Sequence, residues 1–552
     1  MRAFDFYRSR SVALLGGVAG GTGVTRSSGS DAAELWGGPV IQLAATEPAV
    51  RHALLALSSL HERLCMPKSA RANQGSGGTA FAYSEYGKAI TAVRSWGAAT
   101  TEPAVVPLLV CILFICIEFL GGYEDASLVH ILQGRQILSK FDPTDTSPSV
   151  ELVRRVLAPM YARLSLTSFT FGNQPERIPE GFARGQRRGE ENEVPPVFET
   201  LKEARDSMFW LVDEGLRFST TGKPAVYNPA TDPEEMRMLV DWQQWLLGQV
   251  RRWDAAFTVL KTTLPIEVGS GAGGRSARAL QDLLLMYYHA TVVWVSTALT
   301  PDDAAYDDYI PAFSAIVSHA SSVVAASSNA QESGTTFTFE SEVVPPLFWV
   351  ASKCRHPLLR RAALRLLGKE EVKNRREGLW RANVTHAVAK KIIEIEEEGM
   401  DTFLRHELDA GTYDLDPASK LYISILTPPT YARPALDVTG ERAPVDEGGF
   451  TVDDDLSLRA SPSSSGSSAG LSPGTSTHGD GESATDSLHG SAGQGIDPAR
   501  LVSPYGVPEH RRIKNTIIPQ QRPEDGGLWV TTFMSPQPGE AVWDTQRVWV
   551  KV

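Results

Sequence analysis

The sequence has few cysteines, and none of them are paired at the spacing of metal ligands. Its 552 residues include four, Cys65, Cys111, Cys116 and Cys354. No two of them form the Cys-x-x-Cys spacing of a structural zinc site or a redox dithiol. We therefore predict neither a zinc knuckle nor a disulfide framework. Isolated thiols inside apolar segments are typical of a reducing compartment, where cysteine behaves as a small hydrophobic residue.

The chain also lacks an excess of positive charge. Its 65 acidic residues outnumber its 53 basic residues, which gives a net charge of -12. No bulk attraction to nucleic acid or to an anionic membrane is expected from this charge. The composition, 42% hydrophobic and 21% charged, is that of a globular protein and excludes a collagen-like or wholly disordered chain.

A long hydrophobic run is missing as well. The most apolar window, Val105–Leu120, is 16 residues long and contains Pro107 and Glu118, whereas a bilayer-spanning helix needs roughly 20 apolar residues. We predict a buried core helix here and no membrane segment. Residues 1–15 carry four charges and no apolar stretch long enough for a signal peptide.

Motifs for catalysis or metal binding are not evident. The 11 histidines include no His-Glu-x-x-His pattern, and His61 lies on the apolar face of a predicted helix, where a core histidine is expected. The glycine-rich segment Ala13–Gly23 fits a dinucleotide-binding spacing, but a poor helix former, Val24–Ser30, follows it. We interpret it as a flexible loop, and a nucleotide-dependent oxidoreductase using residues 13–23 is the less favoured alternative. No catalytic, cofactor-binding or metal-binding residue is predicted.

Helical patterns cover most of residues 1–435. In Thr46–Leu64 the apolar side chains fall within an arc of about 120°, with Thr46 as the expected N-cap and Pro48 in the first turn. Similar patterns predict helices over Tyr83–Trp96, Leu108–Leu120, Ala126–Phe141, Leu152–Phe169, Phe198–Phe218, Glu234–Leu260, Ala279–Leu299, Tyr309–Ala326, Pro345–Gly368 and Val384–Glu398. The predicted fold is therefore all-α, a large multi-helix domain over residues 1–435.

The composition changes sharply after this domain. From Ser461 to Arg500, 25 of 40 residues are Ser, Gly, Pro or Thr. The apolar side chains are too few for their burial to offset the entropy lost when the chain is ordered. We therefore predict that residues 436–500 form a disordered loop. Residues 501–552 contain two β-branched and aromatic runs, Leu528–Met534 and Arg547–Val552. They predict a small β-hairpin, which needs to dock on the helical body because a hairpin alone is marginally stable.

One segment of this acidic chain is rich in basic residues. Between Lys353 and Lys391 there are 12 basic residues and three glutamates. We interpret this segment as an amphipathic helix with a solvated basic rim, and we take Arg360, Arg361 and Arg365 as candidate partner contacts. An acidic contact, with a partner or within the chain, and a direct contact with nucleic acid are the alternatives.

Nine segments in order along the chain resemble a known family. The strongest is Pro345-Pro-Leu-Phe-Trp-Val-Ala-Ser-Lys-Cys-Arg355, and the others are Arg2–Tyr7, Glu47–Glu62, Tyr83–Ile90, Leu113–Gly122, His130–Leu138, Leu359–Leu367, Arg376–Trp380 and Ile393–Glu397. Together they resemble the regulatory region of fungal zinc-cluster (Zn2Cys6) transcription factors, in the fungal-specific transcription factor family. The resemblance covers nearly the whole chain outside the serine-rich segment.

The resemblance implies an all-α regulatory domain, a nuclear location and a role in controlling transcription, often of a metabolic or specialised-metabolite gene cluster, without enzymatic activity. The expected partners are transcriptional co-regulators or another zinc-cluster factor, in a homodimer or a heterodimer, and DNA is reached only indirectly. A sensed small molecule and a cytosolic helical scaffold remain alternatives for how the domain is used.

The sequence departs from the family pattern in its cysteines. Family members usually carry six cysteines that bind two zinc ions and place a helix in the major groove, and this sequence has no such group. No DNA-binding residue is therefore carried over, and zinc is expected only if a cluster lies upstream of Met1.

Overall fold

A computed structural model provides the structure of the chain. It describes residues 2–15, 35–66, 77–96, 105–179, 182, 193–228, 230–263, 272–301, 303–327, 336–398, 507, 511–519, 526–534 and 544–552. The glycine-rich loop after Leu15 and the predicted disordered loop at 436–500 lie outside the described residues. Residues 1–434 and 498–552 group into one compact unit.

The described residues are predominantly α-helical, as the sequence predicts. The helices are α1 (Arg2–Phe6), α2 (Val12–Leu15), α3 (Pro39–Thr46), α4 (Pro48–Cys65), α5 (Gly77–Trp96), α6 (Val105–Gly121), α7 (Glu124–Leu138), α8 (Pro148–Leu152), α9 (Ala158–Arg163), α10 (Ser165–Thr170), α11 (Leu201–Tyr227), α12 (Pro233–Thr263), α13 (Ala272–Thr297), α14 (Ile310–Ser327), α15 (Val344–Lys353), α16 (Pro357–Leu367), α17 (Glu370–Lys373) and α18 (Ala382–Glu396). Short π-helical stretches, Tyr7–Ser11 and Val153–Leu157, and a 3-10 helix, Asp303–Tyr309, join some of them.

Helix α6 lies at the centre of the main core, which confirms the prediction of a buried core helix. Almost every side chain from Leu108 to Leu120 is buried, and the helix packs against α4 and α7. Its one charged residue, Glu118, accepts a hydrogen bond from the Tyr86 hydroxyl. Burial raises the pKa of Glu118 although this bond favours the ionised form, so an apolar helix tolerates the carboxyl group because it has a polar partner.

The remaining long helices form the rest of the body. Helices α11 to α14 pack as successive neighbours, α11 on α12 and α13, and α13 on α14. Helix α11 begins where the Thr200 hydroxyl accepts a hydrogen bond from the Glu203 amide at 3.2 Å, which satisfies one of the free amides of its first turn. A second apolar cluster lies between α11, α12 and α13 and includes Phe218, Leu246 and Val295.

The predicted helix Pro345–Gly368 is divided in two. Helix α15 ends at Lys353, and α16 begins at Pro357. The backbone of His356 is extended, with φ -65° and ψ 114°, because the ring of a following proline disfavours the helical conformation of the residue before it. His356 then caps α16, since its Nδ1 accepts a hydrogen bond from the Leu358 amide at 3.3 Å.

Two small sheets complete the unit. In the first, β1 (Phe337–Thr338) pairs in parallel with β2 (Arg376–Glu377), and β2 pairs antiparallel with β3 (Trp380–Arg381). Gly378, in the turn between β2 and β3, has φ 55°, and a Cβ there would lie 3.1 Å from the Phe119 ring. Both the backbone conformation and the close approach require glycine at this position. This sheet was not predicted, because two-residue strands leave no alternating pattern in the sequence.

The second sheet is C-terminal and contains the two predicted strands. They are β5 (Gly527–Met534) and β6 (Asp544–Lys551), and a third strand that we did not predict, β4 (Ile513–Ile517), pairs antiparallel with β5. One face of the sheet, with Leu528 and Val530, is buried against Val388 and Ile392 of α18. The sheet is therefore docked on the helical body.

One helical run has the length and hydropathy of a membrane span among the described residues. It covers Asp303–Ala326, the 3-10 helix and most of α14. Several of its apolar side chains, including Phe313, Ile316 and Val323, belong to the main core. Core helices of globular proteins pass the same test of length and composition.

His61 of α4 occupies the core position that its helical face predicts. It is fully buried, its Nδ1 lies 2.9 Å from the Ser11 hydroxyl, and the Phe6 ring packs edge-on against it. Burial lowers the pKa of His61 to about 4, from an ordinary value of 6.5. The imidazole is therefore neutral in the folded protein near neutral pH.

Acidification should destabilise the protein through this residue. As pH falls below 6.5 the unfolded chain binds a proton at His61 that the folded chain does not bind until about pH 4, so stability is lost as pH decreases. Between pH 7 and pH 5 the loss from His61 is about 2 kcal/mol. Urea unfolding at both pH values measures it, and His61→Phe should reduce the difference by this amount. An unchanged difference in that variant would contradict the assignment.

Candidate functional site

The three arginines predicted as partner contacts lie on helix α16 but have different environments. Arg365 is exposed, whereas Arg360 and Arg361 are 0% and 3% exposed. The prediction of a solvated basic rim is therefore wrong for Arg360 and Arg361, and a protein partner has no access to them in this fold. Arg365 alone of the three lies at the surface.

Carboxylates at the end of α18 account for this burial. Arg360 Nη2 lies 2.6 Å from Glu396 Oε2, and Arg361 Nη2 lies 2.6 Å from Glu397 Oε2. Glu396 and Glu397 are themselves buried. A buried guanidinium needs a paired carboxylate. These ion pairs correspond to one of the alternatives given for the basic run, a contact with acidic residues of the same chain. The glutamates of the segment Ile393–Glu397 are visible in the sequence, but no pattern there indicates which arginines they contact.

One of these carboxylates, Glu396, also holds the C-terminal sheet. Glu396 Oε1 accepts a hydrogen bond from the Ile513 amide at 2.9 Å, and Glu396 Oε2 lies 3.5 Å from Arg512 Nη1. Arg512, which is fully buried, also donates to the Lys353 carbonyl at 2.7 Å. We call Arg360, Arg361, Arg512, Glu396 and Glu397 the arginine–glutamate cluster. It joins α15, α16, α18 and β4, so its role is structural.

Substitution of the buried Arg361 should reduce the stability of the protein more than substitution of the exposed Arg365. Arg361→Met is expected to lower the free energy of unfolding by about 2 kcal/mol. This loss is smaller than the usual cost of breaking a buried ion pair, because Glu397 still has Arg360 as a partner at 3.5 Å. Arg365→Glu should change it by less than about 0.5 kcal/mol, as expected for an exposed site. Urea unfolding of both variants checks this. Equal losses would contradict the burial difference.

A cavity of about 890 Å³ lies between the helical body and the C-terminal sheet. Helices α7, α10, α15 and α18 contribute to its wall, together with β3 and the strand residues Ile513–Ile517. Its aromatic lining residues are Phe169, Phe171, Trp294, Phe348, Trp349 and Trp380. The size is within the range of pockets that bind small molecules and cofactors.

The aromatic rings of the wall pack against one another. Trp380 makes ring contacts with Phe171 and Phe348, with centroids 5.6 and 5.8 Å apart. Trp294 and Trp349 meet edge to face at 5.4 Å. Such contacts fix the rings in position, so this part of the cavity is preformed rather than assembled on binding.

Charged side chains line the cavity at two places. On α7 and β3, Glu124 Oε1 lies 3.2 Å from Arg381 Nη2, and burial raises the pKa of Glu124 to about 7 although Arg381 and Arg376 favour its ionised form. On α15 and β4, Lys353 and Lys514 line the cavity. Lys353 Nζ lies 3.1 Å from Asp303 Oδ2 and donates to the carbonyls of Ile513 and Lys514.

Asp303 is surrounded by cations. Although burial opposes its ionisation, Lys353, Lys514, Arg512 and Lys223 hold the pKa of Asp303 far below its ordinary value. Burial likewise opposes ionisation of Tyr306, yet Lys223 and Lys353 lower its pKa. Four basic side chains therefore lie around this one carboxylate and favour its ionised form.

No pattern in the sequence predicted the cavity. Its lining residues extend from Glu124 to Leu528, and each aromatic residue taken alone reads as a core position. The segment that most strongly resembles the family, Pro345–Arg355, gave a partial indication of the cavity. Four of its residues, Pro345, Pro346, Phe348 and Trp349, line it.

Within the residues that the structure describes, no group of three or more His, Cys, Asp or Glu side chains is placed to hold a metal ion. Cys116 and Cys354 are buried free thiols, and burial raises the pKa of Cys354 to about 12. The glycine segment at 13–23 continues beyond α2 into residues that are not described.

Comparison with known proteins gives one informative similarity. The chain is 22% identical over 353 residues to an aspercryptin biosynthesis cluster-specific transcription regulator from Emericella nidulans. The matched region is 61% of this chain and 52% of the relative, so the chain spans about half the length of the curated relative that it matches. No protein-family model matches the chain, and no solved structure does.

Proposed function

We propose that this protein is a fungal transcription regulator and that the helical body is its regulatory domain. The observation that carries the proposal is the similarity over 353 residues to a cluster-specific transcription regulator. The all-α fold is of the type that the family resemblance implies. We assign no enzymatic activity to the chain.

The finer proposal is that the protein acts in the nucleus on a metabolic, or specialised-metabolite, gene cluster. The sequence contains no six-cysteine zinc cluster, so we propose that these residues reach DNA through transcriptional co-regulators or through another zinc-cluster factor, in a homodimer or a heterodimer. From the basic run we propose Arg365, which is exposed, as a contact with the partner.

A reporter assay tests the regulatory role. The chain, fused to a heterologous DNA-binding module, should raise or lower transcription from a reporter with the matching operator. The matched control is the DNA-binding module alone at equal abundance. No change in either direction would contradict the proposal, and steady exclusion of the fluorescently tagged chain from nuclei would favour a cytosolic helical scaffold instead.

The contact at Arg365 is tested in the same assay. Arg365→Glu should weaken the reporter response without changing the unfolding midpoint, because the side chain is exposed. Lys390→Glu, at an exposed position of α18, reverses the same charge elsewhere and should have no effect. Equal responses from the wild type and the Arg365→Glu variant would remove Arg365 from the contact surface.

A further inference from the structure

We propose that two copies of this chain associate through strand β6, by antiparallel pairing of its outer edge with the same edge of the second copy. The two three-stranded sheets then form one continuous sheet. The pairing rests on the geometry of the sheet. Its role in regulation rests on the proposed function, to which it adds the surface that a homodimer uses.

Strand β6 lies at the edge of its sheet within the part of the chain that the structure describes. The strand order is β4, β5, β6, so β6 pairs with β5 on one side. The Val552 amide donates to the carbonyl of its direct partner Gly526 at 2.9 Å. Hydrogen-bonded and non-hydrogen-bonded pairs alternate along an antiparallel ladder. The residues whose backbone groups point away from β5, toward the outer edge, are therefore Thr545, Arg547, Trp549 and Lys551.

Exposed aromatic rings lie beside this edge, on the face of the sheet that does not contact α18. Trp529 and Trp549 are directly opposite each other on β5 and β6, with ring centroids 5.3 Å apart. They are 47% and 40% exposed, and the exposed Ile517 of β4 lies on the same face. Adjacent large apolar side chains at a surface are typical of an interaction site.

The charges on this face select one register for the pairing. Arg547 and Lys551 lie on the same face as the two indoles, since side chains alternate along a strand. A register that places Arg547 opposite itself, or opposite Lys551, brings like charges together and is destabilising. Pairing centred on Val548 avoids both arrangements. It places Arg547 opposite Trp549 of the second copy, and it places Lys551 opposite Thr545.

This register makes the edge complementary to itself. The Arg547 guanidinium already lies 5.4 Å from the centroid of the Trp529 ring in its own chain. In the dimer, Trp549 of the second copy lies on the other side of Arg547, and a guanidinium beside an indole makes a favourable cation–π contact. An isologous interface requires the same patch to match itself, and this edge does so in both hydrogen bonding and charge.

The association should be weak because the surface is small. One strand edge and two half-exposed indoles per copy bury less than the roughly 1,200–2,000 Å² of a standard interface. We expect a dissociation constant on the order of 10 µM. In sedimentation velocity of the full chain between about 1 and 100 µM, a range that brackets this value, the sedimentation coefficient should rise reversibly toward that of a dimer. A coefficient that stays constant would overturn the proposal.

Hydrogen exchange distinguishes the edge of β6 from other surfaces. In the monomer the four edge amides should exchange fast, whereas the amides of Gln546, Val548 and Val550, which point toward β5, should be protected. The edge amides should slow about fivefold at roughly 100 µM, where about a fifth of the chains remain monomeric. Protection of the edge amides in the monomer would mean that another segment of the chain already pairs with β6, and it would overturn the proposal.

Substitutions of Arg547 test the edge directly. Arg547→Pro removes an outward amide and the cation but keeps the ladder to β5, since proline is tolerated where an edge-strand amide faces outward. Association should weaken at least about tenfold. Arg547→Lys, the control, keeps the amide and the charge and should stay within about threefold of the wild type. If Arg547→Pro fails to fold by circular dichroism, Arg547→Glu replaces it. Wild-type association of a folded Pro or Glu variant would overturn the proposal.

A single cysteine tests the register. In the proposed pairing Val548 faces itself in a non-hydrogen-bonded pair, with Cα atoms about 4.5 Å apart, which is close enough for a disulfide. Val548→Cys should therefore form a linked dimer under mild oxidation, identified by mass spectrometry of the linked peptide. Gln546→Cys, at a more exposed position of the same strand, faces Val550 and should not. Equal yields from the two variants would overturn the register.

The reporter assay separates a failure of the dimer from a failure of the proposed function. A chain that dimerises through β6 but leaves the reporter unchanged contradicts the proposed function. A chain that stays monomeric at all concentrations but changes the reporter contradicts the dimer alone.

Discussion

Glu396→Gln is expected to lower the free energy of unfolding by about 3 to 5 kcal/mol, the usual cost of breaking a buried ion pair by removing one partner. Glu396 is fully buried between Arg360 at 2.6 Å and Arg512 at 3.5 Å, and it accepts the Ile513 amide. A neutral amide would leave both guanidinium groups without their main counter-ion. The C-terminal sheet should become more sensitive to limited proteolysis, because two of these three contacts come from β4 and its preceding residue.

Helix α18 provides a matched control for this substitution. Glu394→Gln removes a carboxylate two residues away that is paired with Lys391 at 3.2 Å but is 45% exposed. Exposed pairs contribute little, so the expected change is less than about 0.5 kcal/mol. Equal effects of the two substitutions in urea unfolding would show that the arginine–glutamate cluster does not stabilise the fold.

The pH dependence gives a second measure of Glu396. Although burial opposes ionisation, Arg512 and Arg360 hold its pKa below the ordinary value. A carboxyl group with a lowered folded pKa stabilises the protein above its unfolded pKa, and this contribution is lost as pH falls through the folded value. The loss of stability on acidification should therefore be smaller in Glu396→Gln than in the wild type.

Gly134→Ala should also be strongly destabilising, against the usual preference of helices for alanine. A Cβ at Gly134 in α7 would lie 2.1 Å from the Tyr161 Oη and 2.3 Å from its ring carbons. Tyr161 is fully buried and donates a hydrogen bond to the Leu108 carbonyl at 3.1 Å, so the ring has no free space into which to move. We expect a net loss of about 3 kcal/mol, the upper range for overpacking a core, despite a helix-propensity gain of about 1 kcal/mol.

Gly87→Ala is the matched control for this prediction. Gly87 lies in helix α5, and a Cβ there meets nothing within 4 Å. Alanine should therefore raise the free energy of unfolding by about 0.5 to 1 kcal/mol, the gain from reduced backbone entropy of the unfolded chain. Thermal unfolding of both variants distinguishes the two signs. A stabilised Gly134→Ala variant would contradict the close packing of α7 on α9.

The positions of most helices could be predicted from the sequence, since periodicity is local. The prediction of Thr46 as an N-cap was wrong, because Thr46 is the last residue of α3 and Glu47 precedes α4 without a side-chain cap. The apolar run at Val105–Leu120 identified a core helix, and the extent of α14 agrees with the prediction to within one residue at each end. The division between α15 and α16 was also within reach, because the rule that the residue before a proline is extended applies to His356. Strand β4 could not be identified because Lys514, Asn515 and Thr516 interrupt the apolar pattern.

The candidate sites depended on contacts between distant residues. Arg360, Arg361 and Arg365 read alike in the sequence, yet partners 36 residues further along the chain, Glu396 and Glu397, bury the first two. The sequence by itself therefore determined the all-α class, the core helices and the acidic, cysteine-poor composition, because these follow from local periodicity and side-chain chemistry. Only the tertiary structure decided which charges are buried and where a cavity remains, because burial and electrostatic pairing depend on which segments pack together.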